Sequence, residues 1–435
     1  MTFSPDGKLM AFIRGDPSSG ENALLVANAD GTGEKTLAVR KEPRSFDNWP
    51  NARNGPAWSP DGRSIAAPAG VGGDRPSESV IEVGVGDGAM KQITTRTWWR
   101  IDAVEWLRDG SGLVVNASEQ SSSPFQIWHV SYPSGQAHKI TNDANDYRGV
   151  SLTADSKVLA TVQSEAFSSI WIVPQNDSRL AKQITSGRSD GQDWVSVTPD
   201  GRIVYSSRAS GNYDLWIIDA DGSNQKQLTA HAGNNDHPSV TGDGRYVVFI
   251  SDRSGGPNLW RVNIDGSNPK ELTPGEAWYP DCSSDSQWVV YTSRPDGRLW
   301  KVPIDGGEPV RVTDYYVPGP VVSPDGKWMA SLWHEDPSKI AIIPFAGGPP
   351  IKLLDIGWTR VHWTPDGRAL AYVDRRDPSN ISSEQVDGST SRKLTDFKSD
   401  RIFSFAWSRD GKQLALARGT LTDDVILISS FEGPH

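Results

Sequence analysis

The stretch Val197-Thr198-Pro199-Asp200-Gly201-Arg202-Ile203-Val204-Tyr205-Ser206-Ser207-Arg208 decides the fold. An apolar run stops at Pro-Asp-Gly, and a second run, Ile203 to Ser207, starts at once. Proline presets φ, aspartate bonds its own backbone and glycine accepts positive φ, so the tripeptide is a tight turn between antiparallel strands. Working outward, Leu215-Trp216-Ile217-Ile218 reads as a third strand, Asp219-Ala220-Asp221-Gly222 as another turn, and Gln227-Leu228-Thr229 as a short fourth strand. One four-stranded antiparallel sheet is therefore written in about 43 residues.

The same text recurs ten times, from Asp6-Gly7 to Asp410-Gly411, with spacings between 40 and 55 residues. Two copies end the turn in serine, at Asp155-Ser156 and Asp285-Ser286. A period of this length with four strands per unit is the signature of β-propeller blades, and no unit shows a helical apolar stripe. The expected fold is all-β, a β-propeller of four-stranded antiparallel blades in ten repeat units. The third strands repeat a tryptophan, at Trp128, Trp171, Trp216, Trp260 and Trp300, and the fourth strands end in Thr141, Thr185, Thr229, Thr273, Thr313 and Thr395. Side chains that recur at a fixed blade position serve packing between sheets rather than one site. The arginines after the second strand (Arg208, Arg253, Arg294 and Arg375-Arg376) are read the same way.

With 435 residues and a net charge of -10, the chain is long enough for more than one domain and lacks the basic stripe of a nucleic-acid binder. Cys282 is the one cysteine, which rules out an intramolecular disulfide. No run of 18 apolar residues is present, and Met1-Thr2-Phe3-Ser4-Pro5-Asp6-Gly7 opens inside a repeat without the basic and apolar regions of a signal peptide.

Strand counting sets the expected domains. The last repeat has a first strand near Arg401–Trp407, a second near Gln413–Arg418 and a third near Asp424–Ser429, with no fourth. A ring must close, and Gln136–Thr141 is a spare-looking outer strand. The expectation is three blades of a partial propeller over 1–134 and a complete seven-bladed propeller over 135–435, closed by 136–141 pairing with Val425–Ile428. The rival is one ten-bladed ring over 1–435.

The repeated Ser/Thr-Pro-Asp-Gly-Lys/Arg, Ser-Arg, Leu-Trp, Asp-Gly and Leu-Thr pattern resembles the TolB-type propeller repeat, also called WD40-like or PD40. It covers nearly the whole chain and implies a six- or seven-bladed TolB-like architecture. More narrowly, the segments Lys139–Thr153 and Phe397–Gly419 resemble the C-terminal propeller region of acidobacterial-type eukaryotic-like serine/threonine protein kinases. The chain has no kinase Gly-rich loop, His-Arg-Asp or Asp-Phe-Gly, so the resemblance implies the sensing half of such a protein. It also implies a periplasmic or extracytoplasmic location. Other relatives of this repeat carry the blades in front of a serine peptidase domain.

Local patterns supply little chemistry. Gly187-Arg188-Ser189-Asp190-Gly191 matches Gly-x-Ser-x-Gly, yet sits in a polar loop between blades without the strand and helix of a nucleophile elbow. Asp219–Gly222 and Asp265-Gly266 lack the remaining ligands of a calcium loop. His231 and His237 flank one loop and make a poor metal pair. Neither a metal nor a cofactor is expected.

One class of position varies while the strands around it stay constant: the loops entering the innermost strands. They carry Tyr147, Arg148, Asp193, Trp194, Asp236, His237, Trp278, Tyr279, Tyr315, Tyr316, Trp358, Arg360 and Arg401. Aromatic residues with arginines on one rim suit recognition of a protein, peptide or small ligand. The expectation is a non-catalytic recognition or scaffolding propeller, the sensor or protein-interaction region of a larger signalling protein. Its rivals are a propeller enzyme acting on a glycan or peptide, with Asp193 and Asp236 as paired carboxylates, and a regulatory propeller of a serine peptidase.

Overall fold

The computed structural model describes residues 1–16, 21–41, 44–46, 55–71, 77–120, 123–230, 233–294, 296–336, 338–357, 359–389 and 391–431. They form antiparallel sheets joined by tight turns, with one short 3-10 helix at Ser178–Leu180. Among them no helix is long and apolar enough to cross a membrane.

The recurring residues build each blade by fixed bonds. The Thr198 hydroxyl donates to the Asp200 carboxylate and accepts the Arg202 N–H at 2.8 Å, clamping the turn that joins first and second strands. Ser323 with Asp325 (2.7 Å), Thr364 with Asp366 (2.6 Å) and Ser408 with Asp410 (2.7 Å) repeat the clamp. At the outer edge the terminal threonine accepts the N–H that opens the third strand: Leu215 to Thr229 at 2.9 Å, Leu259 to Thr273 at 3.0 Å, Ile381 to Thr395 at 2.9 Å. The sequence repeats because these bonds repeat.

The chain divides into two compact units, Met1–Glu165 with Thr422–His435, and Ala166–Leu421. In the first unit, four sheets stand in a row with innermost strands Thr2–Phe3, Ala57–Trp58, Arg100–Trp106 and Asp146–Leu152. Three apolar clusters join them in succession, around Ile65 and Ile81, around Trp98 and Leu113, and around Leu107 and Leu159.

The second unit is a closed ring of six blades. Its innermost strands are Val195–Val197, Asn235–Val240, Ala277–Cys282, Val321–Val322, Val361–Trp363 and Arg401–Trp407. Each neighbouring pair of sheets shares an apolar cluster, and the sixth cluster returns from the last blade to the first through Ala415, Ala417, Val195 and Tyr205. The last blade is composite. Arg401–Trp407 pairs with the start of Gln413–Ser429 (Arg401 opposite Gly419), and the end of Val158–Pro174 pairs with Lys182–Gln183 (Trp171 opposite Gln183). These halves lie side by side in one sheet, and the Gln175 N–H donates to the Lys412 carbonyl at 2.7 Å.

The closure differs from the expected one. Ala137–Lys139 pairs with Gln126–Ser131, Lys139 opposite Trp128, as the outer strand of its own blade. Among the described residues the ring of the second unit closes instead through Ala166–Pro174, with six blades rather than seven. The physical reason is that Val158–Pro174 and Gln413–Ser429 are single strands of 17 residues, each long enough to serve one blade in either unit.

Candidate functional site

Three innermost strands of the second unit enter the channel through a bulge. Register slips between Asp236 and Ser239, between Trp278 and Asp281, and between Ile402 and Ser404. At equivalent places His237 (φ 54°) and Tyr279 (φ 53°) hold left-handed backbone, an unusual conformation for residues of this size. A bulge re-aims side chains, and strained backbone of this kind persists only where the surroundings impose it. Here it brings one ring from each of several blades to the same mouth.

The result is a track of rings across the channel. Tyr279 meets His237 edge-on at 5.4 Å, His237 stacks on Trp194 at 5.5 Å and 25°, and Trp194 meets His362 at 5.4 Å. His362 continues to Phe405 at 4.7 Å and Phe405 to Trp407 at 5.4 Å. Asp236 lies beneath, accepting the His237 N–H at 2.6 Å and facing its Nδ1 at 3.2 Å. Burial opposes the Asp236 charge, yet His237 holds its carboxyl below the usual range. The Nε2 of His237 is enclosed and has no hydrogen-bond partner among the described residues. Burial first, then the nearby Asp193 carboxylate, raise the Tyr213 phenol well above the ordinary value.

Against this track lies a cavity of about 430 Å³. Trp194, His362 and Phe405 form one wall, and Arg360, Arg375 and Arg401 also line it. Arg360 lies over the Trp194 ring at 5.1 Å and donates through Nη1 to the Asp193 carbonyl oxygen. Enclosure and then the Arg360 charge push the His362 pKa down to about 4, so its imidazole is neutral at pH 7.

Deeper in the channel, Asp281 accepts the Ser239 hydroxyl at 3.0 Å and the Val322 N–H at 2.7 Å, tying three blades together. Burial pushes its pKa up to about 6 against the lowering effect of those bonds. Cys282 is buried beside it, its thiol directed to the Ser239 carbonyl at 3.6 Å. At the opposite end of the channel a smaller cavity of about 290 Å³ lies among the Pro-Asp-Gly turns, where Arg409 donates to the Gly242 carbonyl at 2.6 Å.

Of the sequence-derived candidates, Asp193, Trp194, Asp236, His237, Tyr279, Arg360 and Arg401 assemble around this mouth. Trp278 lies beside Tyr279 at 6.1 Å under the Arg294 guanidinium. Tyr316 packs on His334 at 4.2 Å, and Tyr315 turns away to Trp333 and the Gly348 carbonyl (2.7 Å). Tyr147 and Arg148 belong to the first unit, where Tyr147 is buried and bonds Asp143 at 2.8 Å and Arg148 pairs with Asp146 at 3.0 Å. Trp358 and His231 lie outside the described residues. His362 and Phe405 were missed, because the search stopped at the loops and these residues lie within the strands; Arg375 belongs to the repeated arginines read as blade structure, yet it lines the cavity. The paired-carboxylate reading finds Asp236 engaged by His237, with its pKa lowered, whereas a general acid needs it raised. Ser189 accepts the Arg208 N–H at 3.1 Å in an interblade loop. Among the described residues no group of three or more His, Cys, Asp or Glu side chains is arranged to hold a metal.

Dipeptidyl-peptidase 5 of Porphyromonas endodontalis is 25% identical to this chain over 279 residues, 57% of the chain and 36% of that protein. Dipeptidyl-peptidase 5 of Porphyromonas gingivalis is 23% identical over 225 residues, 50% of the chain and 31% of that protein. The chain thus spans about a third of the length of the curated relatives it matches. The solved structure of TolB from Acinetobacter baumannii is 20% identical, covering 69% of this chain and 62% of that one with a TM-score of 0.25. The two peptidases overturn the expectation of a non-catalytic sensor or scaffold and the expectation that no enzyme is involved. They favour instead the rival reading of blades that serve a serine peptidase. Residues 196–308 match the family model described as PD40, TolB beta propeller domain, so the blades at the heart of the closed ring are TolB-like propeller repeats.

Proposed function

We propose that the chain is the propeller region of a dipeptidyl-peptidase-type enzyme and that the channel mouth of the second unit receives the peptide substrate. The observation that carries this reading is the similarity, over 57% of the chain, to a protein named dipeptidyl-peptidase 5. The site supports it. A cavity of about 430 Å³ falls in the size range of small-ligand pockets, and ring faces beside fixed polar groups suit a short peptide backbone with its side chains. Peptide hydrolysis needs a nucleophile, a base and oxyanion donors in one place, and the mouth residues do not have that arrangement. Their part is to admit and orient the peptide for the hydrolytic centre.

The narrower resemblance of residues 139–153 and 397–419 to kinase sensor regions concerns repeat ancestry, since both segments are ordinary blade strands. A periplasmic or other extracytoplasmic location fits the TolB-like repeats and a peptide-scavenging role. The test is to incubate the full-length gene product with unblocked and N-acetylated oligopeptides and identify products by mass spectrometry. Release of N-terminal dipeptides from the unblocked set is expected. Absence of release, together with absence of peptide binding to this chain by calorimetry, overturns the proposal.

A further inference from the structure

The described residues contain many arginines paired with a carboxylate, as in Arg202 with Asp200 (2.9 Å), Arg245 with Asp243 (2.6 Å) and Arg261 with Asp305 (2.9 Å). The three guanidinium groups at the mouth cavity are different. Arg360 bonds a neutral carbonyl oxygen and stacks on Trp194, Arg401 lies over Phe403 at 5.2 Å, and Arg375 is exposed at the rim. None of the three is in an ion pair among the described residues. The Nε of Arg401 is enclosed without a hydrogen-bond acceptor.

Two neighbouring carboxylates are engaged elsewhere: Asp400 faces Arg418 at 3.4 Å, and Asp377 pairs with Lys393 at 3.1 Å. Asp374, the one carboxylate lining the cavity, accepts the Arg376 N–H at 2.8 Å. In a chain of net charge -10, this cavity therefore concentrates positive charge. The depressed pKa of His362, caused in part by Arg360, agrees with such a field. An enclosed guanidinium donor without an acceptor is costly to leave unmade, and a carboxylate matches its planar fork.

We propose that this cavity binds a carboxylate, and that the peptides received at the mouth are those presenting one, as an acidic side chain or as a free C-terminus. The identification of the ligand as a peptide rests on the function proposed above; the preference for a carboxylate rests on the three arginines alone. On binding, Arg401 and Arg375 donate to the carboxylate, and Arg360 exchanges its carbonyl partner for an anionic one while Trp194 keeps the guanidinium plane oriented.

Calorimetry on the whole chain tests this with matched probes. One pair is N-acetyl-trialanine as the free acid and as the amide. The second is N-acetyl-Ala-Asp-Ala-amide and its Asn counterpart. Succinate is the non-peptide probe. At least one acid is expected to bind about tenfold tighter than its neutral partner, about 1.4 kcal/mol, and the pair that discriminates identifies the source of the carboxylate. Arg401→Gln and Arg375→Gln are expected to remove that preference; Arg375 is exposed, so its variant folds. Equal binding of acid and neutral probes overturns the carboxylate site and leaves the peptide-receiving role standing. A preference that survives in both variants also overturns it, as does failure of every acid probe and of succinate to bind. Arginine-dependent binding of succinate with no peptide bound supports the carboxylate site and removes these peptides as its ligands.

Discussion

The Arg360 guanidinium reaches the backbone carbonyl of Asp193, 167 residues earlier in the chain, on a blade that is not its neighbour. Arg409 does the same at the other end of the channel, donating to the Gly242 carbonyl at 2.6 Å. The first strap passes over the composite blade and the second starts from it. Each adds a bond between blades that share no apolar cluster. Because both arginines are exposed and their acceptors neutral, each bond contributes modestly. Arg360→Ala and Arg409→Ala are each expected to lower the unfolding free energy by about 0.5–1.5 kcal/mol in urea titrations. Arg360→Ala alone is expected to change Trp194 emission. A loss above about 3 kcal/mol for either would mean that the straps, rather than the interblade clusters, hold the ring.

Closure itself has a sharper test at Gly419. It sits opposite Arg401, and a Cβ there would lie 1.9 Å from the Phe167 carbonyl oxygen, in the strand that completes the same blade. Backbone cannot yield as a side-chain tip does. Gly419→Ala is expected to cost about 3 kcal/mol or more and to raise amide exchange over residues 166–174 and 401–418 ahead of the other blades. Uniform exchange across the ring, or a cost under about 1 kcal/mol, would rule out this pairing.

Two carboxyls on neighbouring blades of the channel respond to pH with opposite sign. Asp236 is held below its unfolded pKa, so its stabilisation is full above about pH 4, the unfolded value, and is lost as pH falls through the folded one. Asp281 is raised to about 6, so the folded chain holds its proton more tightly than the unfolded chain does. Its penalty is absent below about pH 4, grows between pH 4 and 6, and is full above 6. Asp281→Asn is therefore expected to raise stability at pH 7.5 by on the order of 1–3 kcal/mol and to have little effect at pH 4. Asp236→Asn is expected to destabilise at pH 7.5 and to flatten the acid limb. Thermal melts of both variants at four pH values check the signs, and parallel curves would show that neither carboxyl is shifted.

Blade text was legible because each repeated residue makes a local bond: Thr198 to Arg202 and Leu215 to Thr229 span 4 and 14 residues. Closure was less legible, being a pairing between Phe167 and Gly419 with no local signature. One clue was present. Val158 to Phe167 contains no Gly, Pro, Asn or Asp, so it carries no strong turn signal to break one long strand. The mouth was legible where residues break the repeat in loops, as at Trp194 and Arg360. It was hidden at His362 and Phe405, which occupy the strand positions held by Ser196 and Val195 in the first blade of the ring and look there like ordinary strand residues.

The repeated threonine offers the last test, because its role differs between blades. Thr229 accepts the Leu215 N–H at 2.9 Å and donates at 2.9 Å to Asp214, a buried carboxylate that also accepts from Asn235 at 3.1 Å. Thr185 accepts the Ile170 N–H at 2.9 Å, and among the described residues its hydroxyl has no carboxylate partner. Valine keeps the shape and removes the hydroxyl. Thr185→Val then leaves one N–H unmatched, for a cost of about 1–2 kcal/mol, whereas Thr229→Val also strips a donor from a buried anion and costs about 3 kcal/mol. Thr229→Ser retains both bonds and stays within about 1 kcal/mol of the parent. Chemical denaturation of the three variants orders them, and equal losses for the two valines would show that Asp214 draws nothing from Thr229.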